Sequence, residues 1–496
     1  MDSQSGYRPF RDASAREERG QANTSQAQHE PAHQQRQDER TDYGGFRSDE
    51  EGLSAMDRQY AKPTADLPRR IHIIGTGSIG KLVAHSLRGI ANPPPITLIF
   101  HRYRLLKAWE EGKKQITIQD DGYDVPREGF DVELMPEVRR EHRVELRDGT
   151  PSAYDVATDD VRPHEAAKML AQQQQQSEGQ AEQQQDESST STYAPFRSGT
   201  GGPGDHAIST DPIHNLIVST KGPLTIPALS AIKHRLTPKS TICFLQNGMG
   251  IVDDVNKQLF PNPAERPNYM QGIITHGANV PPQKAEEDPF YAVHAGHGTI
   301  ALGLMPREDV QGNEKWAPSS RYLLRTLTRS PVLCAVGFTP TELLQQQLEK
   351  LVANCILNPL TSLLDNRNGA LLYNFPLTRT MRLMIAEISH VIRSLPELQN
   401  VPNVSTRFSP ERLETLCVSI ADKTKDNVSS MLADVRAGKK TEIEYINGYI
   451  VRRGEELGVK CVVNYAIMQT VIGKAAMIGR DRRGEVPVEE RNLNPD

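Results

Sequence analysis

Three glycines with the spacing of a phosphate-binding turn lie between two predicted elements. The apolar run Ile71–Ile74 predicts a buried strand, and residues 78–90 predict a helix. In such a turn the first glycine allows a tight bend, the second lets backbone approach a pyrophosphate, and the third lets helix and strand pack closely. Because a helix N-terminus also favours phosphate charge, we predict a dinucleotide site rather than a purely structural turn. Its predicted residues are Gly75, Thr76, Gly77, Ser78, Ile79 and Gly80.

A basic residue follows the second predicted strand, Ile96–Phe100, at the position that distinguishes two nicotinamide cofactors. An NAD site places Asp or Glu there to bind the ribose hydroxyls, whereas this chain has Arg102. A guanidinium suits the 2′-phosphate of NADP by charge and by bidentate geometry. We therefore predict NADPH as the cofactor; the alternative is a solvated surface arginine.

A stripe of polar side chains lies within the otherwise apolar segment Leu348–Thr361. Lys350, Asn354 and Asn358 are spaced four residues apart, which places all three on one face of a helix. Buried polar groups cost free energy unless they are partnered, and Asn is a poor helix former. This pattern favours a functional cleft; the alternative is a polar network between helices.

A second polar segment, Ser429–Gly448, contains a helix break and a capping pattern. Gly438 predicts the end of one helix, and Thr441 with Glu444 resembles a capping box for the next. Glu442 would then lie in the first helical turn, where its carboxylate favours the helix dipole. On spacing alone, helix capping is the better explanation for Glu442.

The elements that must position these groups change in character near residue 340. Before it, apolar strand-like runs alternate with helical segments, which predicts a parallel sheet covered by helices on both faces. After it, the pattern is helical almost throughout. We predict an α/β Rossmann-like domain at residues 69–338 and an all-α domain at residues 339–479.

Three segments lack the apolar residues that a core requires. Residues 1–68 are polar, residues 158–206 are rich in Gln, Ser and Gly, and residues 480–496 are charged. Together with a hydrophobic fraction of 37% and a mean hydropathy of −0.56, this predicts a disordered tail, a disordered insertion and a charged tail.

Composition and charge argue against several classes of function. A net charge of −5 over 496 residues gives no reason to expect a nucleic-acid partner. No stretch reaches the roughly 18 uncharged apolar residues of a membrane span. The five cysteines have no metal-ligand spacing, so reduced thiols are expected and no metal is predicted. The N-terminus does not resemble a secretory signal. We expect a cytoplasmic protein, with the mitochondrion as the alternative; a monomer and a homodimer both remain open.

Four segments carry a resemblance to a known family: Gly75–Gly80, Gln246–Gly250, Lys350–Thr361 and Ser429–Gly448. Together they span most of residues 70–478 and resemble the ketopantoate reductases (2-dehydropantoate 2-reductases). The last two segments are far more specific to the family than the first. The polar tail and insertion have no counterpart in the compact family pattern and are typical of a eukaryotic, fungal member.

The resemblance implies a fold and a set of roles. It implies a Rossmann-like domain followed by an all-α domain like the C-terminal domain of 6-phosphogluconate dehydrogenase, with the active site between them. Lys350 matches the catalytic lysine, and an ammonium can both stabilise alkoxide charge and donate a proton. Glu442 matches an active-site glutamate with catalytic and cofactor-binding roles. The implied substrate-binding residues are Asn247, Asn354, Asn358 and Ser430, and Asn247 and Lys221 also match cofactor contacts.

The reaction implied by the resemblance is reduction of 2-dehydropantoate to (R)-pantoate by NADPH, a step toward pantothenate and coenzyme A. One alternative is an NADPH-dependent reductase of another branched 2-oxo acid. A second is a non-enzymatic binding or regulatory protein on the same scaffold. Retention of Lys350, Asn354, Ser430 and Glu442 together argues against the second.

Overall fold

The structure is a computed structural model that describes residues 68–136, 209–307 and 316–483. The predicted insertion at 158–206 lies outside the described residues, as does the predicted tail at 1–68 except for its last residue. Of the predicted C-terminal tail, residues 480–483 are described, and they form the end of a helix.

The strands of the described residues form two sheets. An eight-stranded sheet has the order β12-β11-β8-β7-β6-β1-β2-β5, and a four-stranded sheet has the order β4-β3-β10-β9. The strands are β1 (Ile71–Ile74), β2 (Ile96–Phe100), β3 (Ile116–Asp120), β4 (Tyr123–Arg127), β5 (Phe130–Leu134), β6 (Asn215–Val218), β7 (Thr241–Phe244), β8 (Asn268–Ile274), β9 (Gly277–Asn279), β10 (Tyr291–Gly296), β11 (Ile300–Leu304) and β12 (Ala335–Phe338).

The larger sheet is buried on both faces. In β1, Ile71 and Ile73 belong to the apolar cluster on one face, whereas Ile74 belongs to the cluster on the other. Continuous apolar strands of this kind are typical of a parallel sheet covered by helices. The helices of this α/β part are α1 (Ser78–Arg88), α2 (Tyr103–Glu111), α3 (Thr225–Ile232), α4 (Ile251–Gln258), α5 (Pro282–Glu287) and α6 (Pro318–Thr328).

The chain from Pro340 onward is helical in the described residues, and its core is a single apolar cluster. The first helix begins with a capping box, in which the Thr339 side chain accepts from the Glu342 amide and the Glu342 carboxylate accepts from the Thr339 amide. The helices are α7 (Pro340–Leu364), α8 (Phe375–Arg393), α9 (Val404–Arg407), α10 (Pro410–Lys423), α11 (Ser430–Arg436), α12 (Asn447–Glu456) and α13 (Val462–Arg483).

The last helix has an apolar composition. Among the described residues, Val462–Arg482 alone is long and apolar enough to cross a membrane, with a mean hydropathy of 1.2 and 22% of the stretch buried. One face of α13, with Asn464 and Val471, is fully buried in the helical core. Its Lys474 ammonium donates to backbone carbonyls at the end of α7. These contacts pack one side of α13 against the helical core, while most of the stretch is not buried.

The predicted fold class is confirmed, but the sheet is not purely parallel. All neighbouring pairs of the larger sheet run parallel except β8 and β11, which are antiparallel. The smaller sheet was not predicted as a separate layer. The smaller sheet combines the hairpin of β3 and β4 with β9 and β10, which lie along the chain between β8 and β11. After this excursion the chain re-enters the larger sheet beside β8 in the opposite direction, as β11.

Candidate active site

Four neighbouring strands of the larger sheet end at the same edge, and predicted cofactor residues follow each of them. The order β7-β6-β1-β2 is parallel throughout, so their carboxyl ends lie side by side. Gly75 follows β1, Arg102 follows β2, Lys221 follows β6 and Asn247 follows β7. Ligands of open α/β sheets bind at this edge.

The glycine turn after β1 is tight on the protein side and open on the other. Gly75 has φ +94°, and a Cβ there would lie 2.5 Å from the Thr220 nitrogen. A Cβ on Gly80 would lie 2.0 Å from the Gly75 carbonyl oxygen. Gly77 is exposed, and a Cβ there would meet no atom within 4 Å. The turn therefore has the predicted shape, with free space beside Gly77 at the start of α1, where a phosphate would bind.

Arg102 lies two residues beyond β2 and immediately before α2, and it is partly buried. Because Ile99 pairs with Ile74 across β2 and β1, Arg102 and the glycine turn belong to the same sheet edge. This is the position at which a guanidinium can meet a 2′-phosphate.

The ammonium of Lys350 reaches from α7 to the sheet edge. Its Nζ donates to the Asn247 Oδ1 at 2.9 Å and to the Ile274 carbonyl oxygen at 2.6 Å. Burial lowers the pKa of Lys350 to about 8, while the nearby Glu442 carboxylate acts in the opposite direction. The site therefore holds an ammonium that can release its proton near neutral pH.

A cleft beside Lys350 is lined by residues of the α/β part and of α7, the first helix of the helical part. Asn354 lies in it one turn beyond Lys350, as the helical spacing predicts. Asn358, one further turn along, is buried at 8% exposure and does not line this cleft. The lining residues are Gln246, Asn247, Gly248, Met249, Gly272, Ile273, Gln347, Lys350, Leu351 and Asn354.

Glu442 is buried in the same site and does not cap a helix, so the capping expectation was wrong. The residue precedes a short 3₁₀ helix, Ile443–Tyr445, and makes no side-chain capping hydrogen bond. Its carboxylate instead accepts from the Gly222 amide at 3.2 Å and from Asn247 Nδ2 at 3.5 Å. Burial raises the pKa of Glu442, and Lys221 opposes that shift. Contacts distant in sequence outweigh the local capping pattern here.

Lys221 connects the α/β part to two carboxylates of the helical part. Its Nζ donates to Asp434 Oδ2 at 2.7 Å and lies 3.7 Å from Glu442 Oε2. Burial alone lowers the pKa of Lys221, but the Glu442 and Asp434 carboxylates outweigh burial, so the pKa is raised. The predicted cofactor contact is thus an ion-paired lysine at the sheet edge.

Ser430 is exposed in the first turn of α11. Its neighbour Ser429 caps that helix by accepting from the Leu432 amide at 3.1 Å, and it lies 2.8 Å from the Thr361 hydroxyl of α7. The structure therefore gives Ser429 a clear local role and leaves the predicted substrate-binding role of Ser430 as a prediction.

Sequence reasoning missed two partners of the predicted site. The Ile274 carbonyl accepts from Lys350, but the residue type could not have indicated this contact, because any residue at the end of β8 presents a carbonyl. Asp434 lies inside the Ser429–Gly448 segment, in the second turn of α11, and its acidic type among apolar neighbours could have marked it as a partner for a lysine.

Comparison with known proteins identifies the family. A family model described as "Ketopantoate reductase PanE/ApbA" matches residues 159–307, and one described as "Ketopantoate reductase PanE/ApbA C terminal" matches residues 342–475. A probable 2-dehydropantoate 2-reductase of Schizosaccharomyces pombe is 31% identical over 264 residues, which are 53% of this chain and 74% of the relative. The chain belongs to the ketopantoate reductase family.

The relatives that match this chain also include ketoisovalerate reductases. Ketoisovalerate reductase BEA2 of Gibberella fujikuroi is 26% identical over 451 residues, which are 84% of each chain. Among solved structures, a probable 2-dehydropantoate 2-reductase from Bacillus subtilis matches with a TM-score of 0.51 and 20% identity, covering 82% of this chain and 99% of that one. D-mandelate dehydrogenase with NADH and anilino(oxo)acetate matches with a TM-score of 0.53 and 16% identity, at the same coverage. These two structures support the fold alone.

Proposed function

We propose that this chain reduces 2-dehydropantoate (ketopantoate) to (R)-pantoate with NADPH. The observation that carries the proposal is the position of the Lys350 ammonium. It lies in a cleft between α7 and the sheet edge at which the predicted cofactor residues lie. Its pKa of about 8 suits a group that donates a proton to a ketone oxygen near neutral pH.

The residues of the sheet edge fit a nicotinamide dinucleotide. The open backbone at Gly77 and the N-terminus of α1 would hold the pyrophosphate, and Arg102 would hold the 2′-phosphate. When bound, the reduced nicotinamide supplies the hydride that adds to the ketone carbon.

The chain's own groups handle the charge and the proton of the reaction. As the ketone oxygen gains negative charge, the Lys350 ammonium stabilises it and transfers a proton from Nζ. Asn247 holds that ammonium through its Oδ1 and contacts Glu442 through its Nδ2, so it fixes the distance between the two. Asn354 and Gln347, which line the same cleft, can donate hydrogen bonds to the substrate carboxylate or hydroxyl.

The cofactor preference can be tested at Arg102. Arg102→Asp should raise the KM for NADPH about 10- to 100-fold, since a hydrogen-bonded charge pair contributes about 1.5–3 kcal/mol. The KM for NADH, which lacks the 2′-phosphate, should change far less. Arg104→Asp, an exposed arginine two residues away, is the matched control. Equal losses for both cofactors would contradict the assignment.

A second candidate, reduction of ketoisovalerate, is favoured by the wide match to the Gibberella fujikuroi enzyme. Ketopantoate is ketoisovalerate with an added hydroxymethyl group, so the pocket must accommodate one more carbon and bind its hydroxyl. A site that hydrogen-bonds a substrate hydroxyl rejects the analogue without it by about 10⁴-fold or more. The polar lining of the cleft, with Asn354 and Gln347, favours the hydroxylated substrate.

The deciding experiment follows NADPH absorbance with each 2-oxo acid and compares kcat/KM. We expect a preference for ketopantoate of several orders of magnitude. A preference for ketoisovalerate would assign the second candidate function. Absence of turnover with either acid would refute both candidate functions.

A further inference from the structure

Three side chains with metal-ligand atoms meet in the smaller sheet. Asp120 ends β3, His294 is its cross-strand partner in β10, and His297 follows β10. His294 Nδ1 lies 3.4 Å from Asp120 Oδ1, and His297 Nε2 lies 2.9 Å from the same oxygen. One ligand atom from each residue lies within 4.8 Å of the others.

The hydrogen bonds behind this cluster define where the proton of neutral His294 lies. His276 Nε2 is 3.0 Å from the Leu333 carbonyl oxygen, which can only accept, so Nε2 carries a hydrogen. In a neutral ring, His276 Nδ1 is then an acceptor, and it receives the Gly298 amide at 3.1 Å. His294 Nε2 lies 3.0 Å from the same Nδ1 and must donate to it. The Nδ1 of His294 is therefore left with a free lone pair.

That lone pair faces a carboxylate oxygen. The His294 side chain is fully buried, and its Nδ1 makes no hydrogen bond to the described residues. Asp120 Oδ1 makes no hydrogen bond of good geometry, although His297 Nε2 lies 2.9 Å from it. Two buried acceptors that face each other at 3.4 Å repel unless a proton or a metal cation lies between them. The arrangement resembles a metal-binding histidine whose other nitrogen donates to an orienting partner, here His276.

We propose that Asp120, His294 and His297 form a binding site for a divalent transition-metal ion, with Zn²⁺ as the best fit. Two imidazoles and one carboxylate are ligands that Zn²⁺ accepts, with bonds of about 2.0–2.2 Å. In a tetrahedral site such bonds place ligand atoms roughly 3.3 Å apart, close to the 3.4 Å between His294 and Asp120. His297 is 56% exposed, so its ring has room to adjust to such a bond.

The site shares no residue with the candidate active site. His276, which contacts His294, comes two residues after Ile274, whose carbonyl accepts from Lys350. A bound ion would join β3, β10 and the loop after β10. The proposal does not rest on the proposed reaction, because it concerns different side chains and a different ligand.

The test measures Zn²⁺ binding to the full chain after chelator treatment, by calorimetry, with Co²⁺ absorption as a report of coordination. We expect one strong site, which His297→Ala and Asp120→Asn each weaken at least about tenfold. His390→Ala, which removes an exposed histidine from α8, is the matched control and should bind as the wild type does.

A thermal readout separates metal binding from damage to the fold. Zn²⁺ should raise the Tm of the wild type and of His390→Ala, but not that of His297→Ala. Since His297 is exposed, the metal-free Tm of its variant should match the wild type. Unchanged Zn²⁺ affinity in both ligand variants, or no strong site in the wild type, would overturn the proposal.

Discussion

Two lysines in different regions of the molecule have a lowered pKa for the same reason. Burial lowers the pKa of both Lys81, in α1, and Lys350, in α7, to about 8. Each ammonium donates to two oxygens: Lys81 to the Pro289 and Tyr291 carbonyls at 2.9 and 2.8 Å, and Lys350 to Asn247 and Ile274. Their titration alone does not distinguish them.

Access and partners distinguish them. Lys81 is 3% exposed and is enclosed between α1 and the smaller sheet, with only backbone carbonyls as acceptors. Lys350 lines a cleft, and one of its acceptors is the Asn247 side chain, which also contacts Glu442. A lowered pKa identifies a candidate acid only where a substrate can reach the proton. Replacing each lysine with methionine should therefore lower activity at Lys350 and lower stability at Lys81.

The largest effect is expected for Lys350→Met, which keeps the alkyl chain and removes the ammonium. Without the proton donor, kcat for ketopantoate reduction should fall about 10²- to 10⁴-fold. The measurement is NADPH oxidation at saturating substrate, with NADPH binding followed separately by fluorescence. Near-normal kcat in this variant would remove Lys350 from the mechanism.

Lys81→Met should leave kcat within a few-fold and lower stability instead. Two carbonyl oxygens lose their donor, at about 1–3 kcal/mol each, and relief from burying the ammonium offsets part of that. We expect a net loss of about 1–3 kcal/mol in the free energy of unfolding, measured with urea. A kcat loss as large as that of Lys350→Met would abolish the distinction between the two lysines.

The sequence predicted those parts of the site that a local pattern carries. The glycine turn is set by backbone sterics within six residues, and the spacing of Lys350 and Asn354 follows directly from helix geometry. The same geometry also placed Asn358 on that face, but only the packing of α7 decides how far the cleft extends along it. The position of Arg102 follows from strand order, which the βαβ pattern predicts.

What the sequence could not predict depends on contacts between distant segments. The family resemblance implied an active-site role for Glu442, but its spacing alone indicated a helix cap. Only the approach of Lys221 and Asn247 from the sheet edge gives its carboxylate other partners. The proposed ion site was missed for the same reason. Its Asp120 comes from β3, far along the chain from His294, and no spacing rule joins residues of two strands before their pairing is known.

The pH dependence of reduction tests both the lowered pKa of Lys350 and its role as the proton donor. Since the ammonium is the active form and burial lowers its pKa, kcat/KM should be level below about pH 8 and fall tenfold per unit above it. The reverse oxidation of pantoate needs the neutral amine and should rise over the same range. Lys81→Met should keep this profile, because its titration is not coupled to the cleft. A decline that begins only near pH 10 would show that burial does not shift Lys350.

The smallest effect is expected for Glu442→Gln, and it tests the carboxylate charge that acts on Lys350. The Glu442 carboxylate raises the pKa of Lys350 against the effect of burial. Replacing it with a neutral amide of the same shape should lower that pKa further, so the alkaline decline in kcat/KM should move to lower pH. Glu444→Gln, which changes an exposed carboxylate two residues away, should leave the decline where it is. If the alkaline decline in kcat/KM does not move in Glu442→Gln, the charge of Glu442 does not affect the pKa of Lys350. Glu442 would then act on Lys350 only by positioning Asn247.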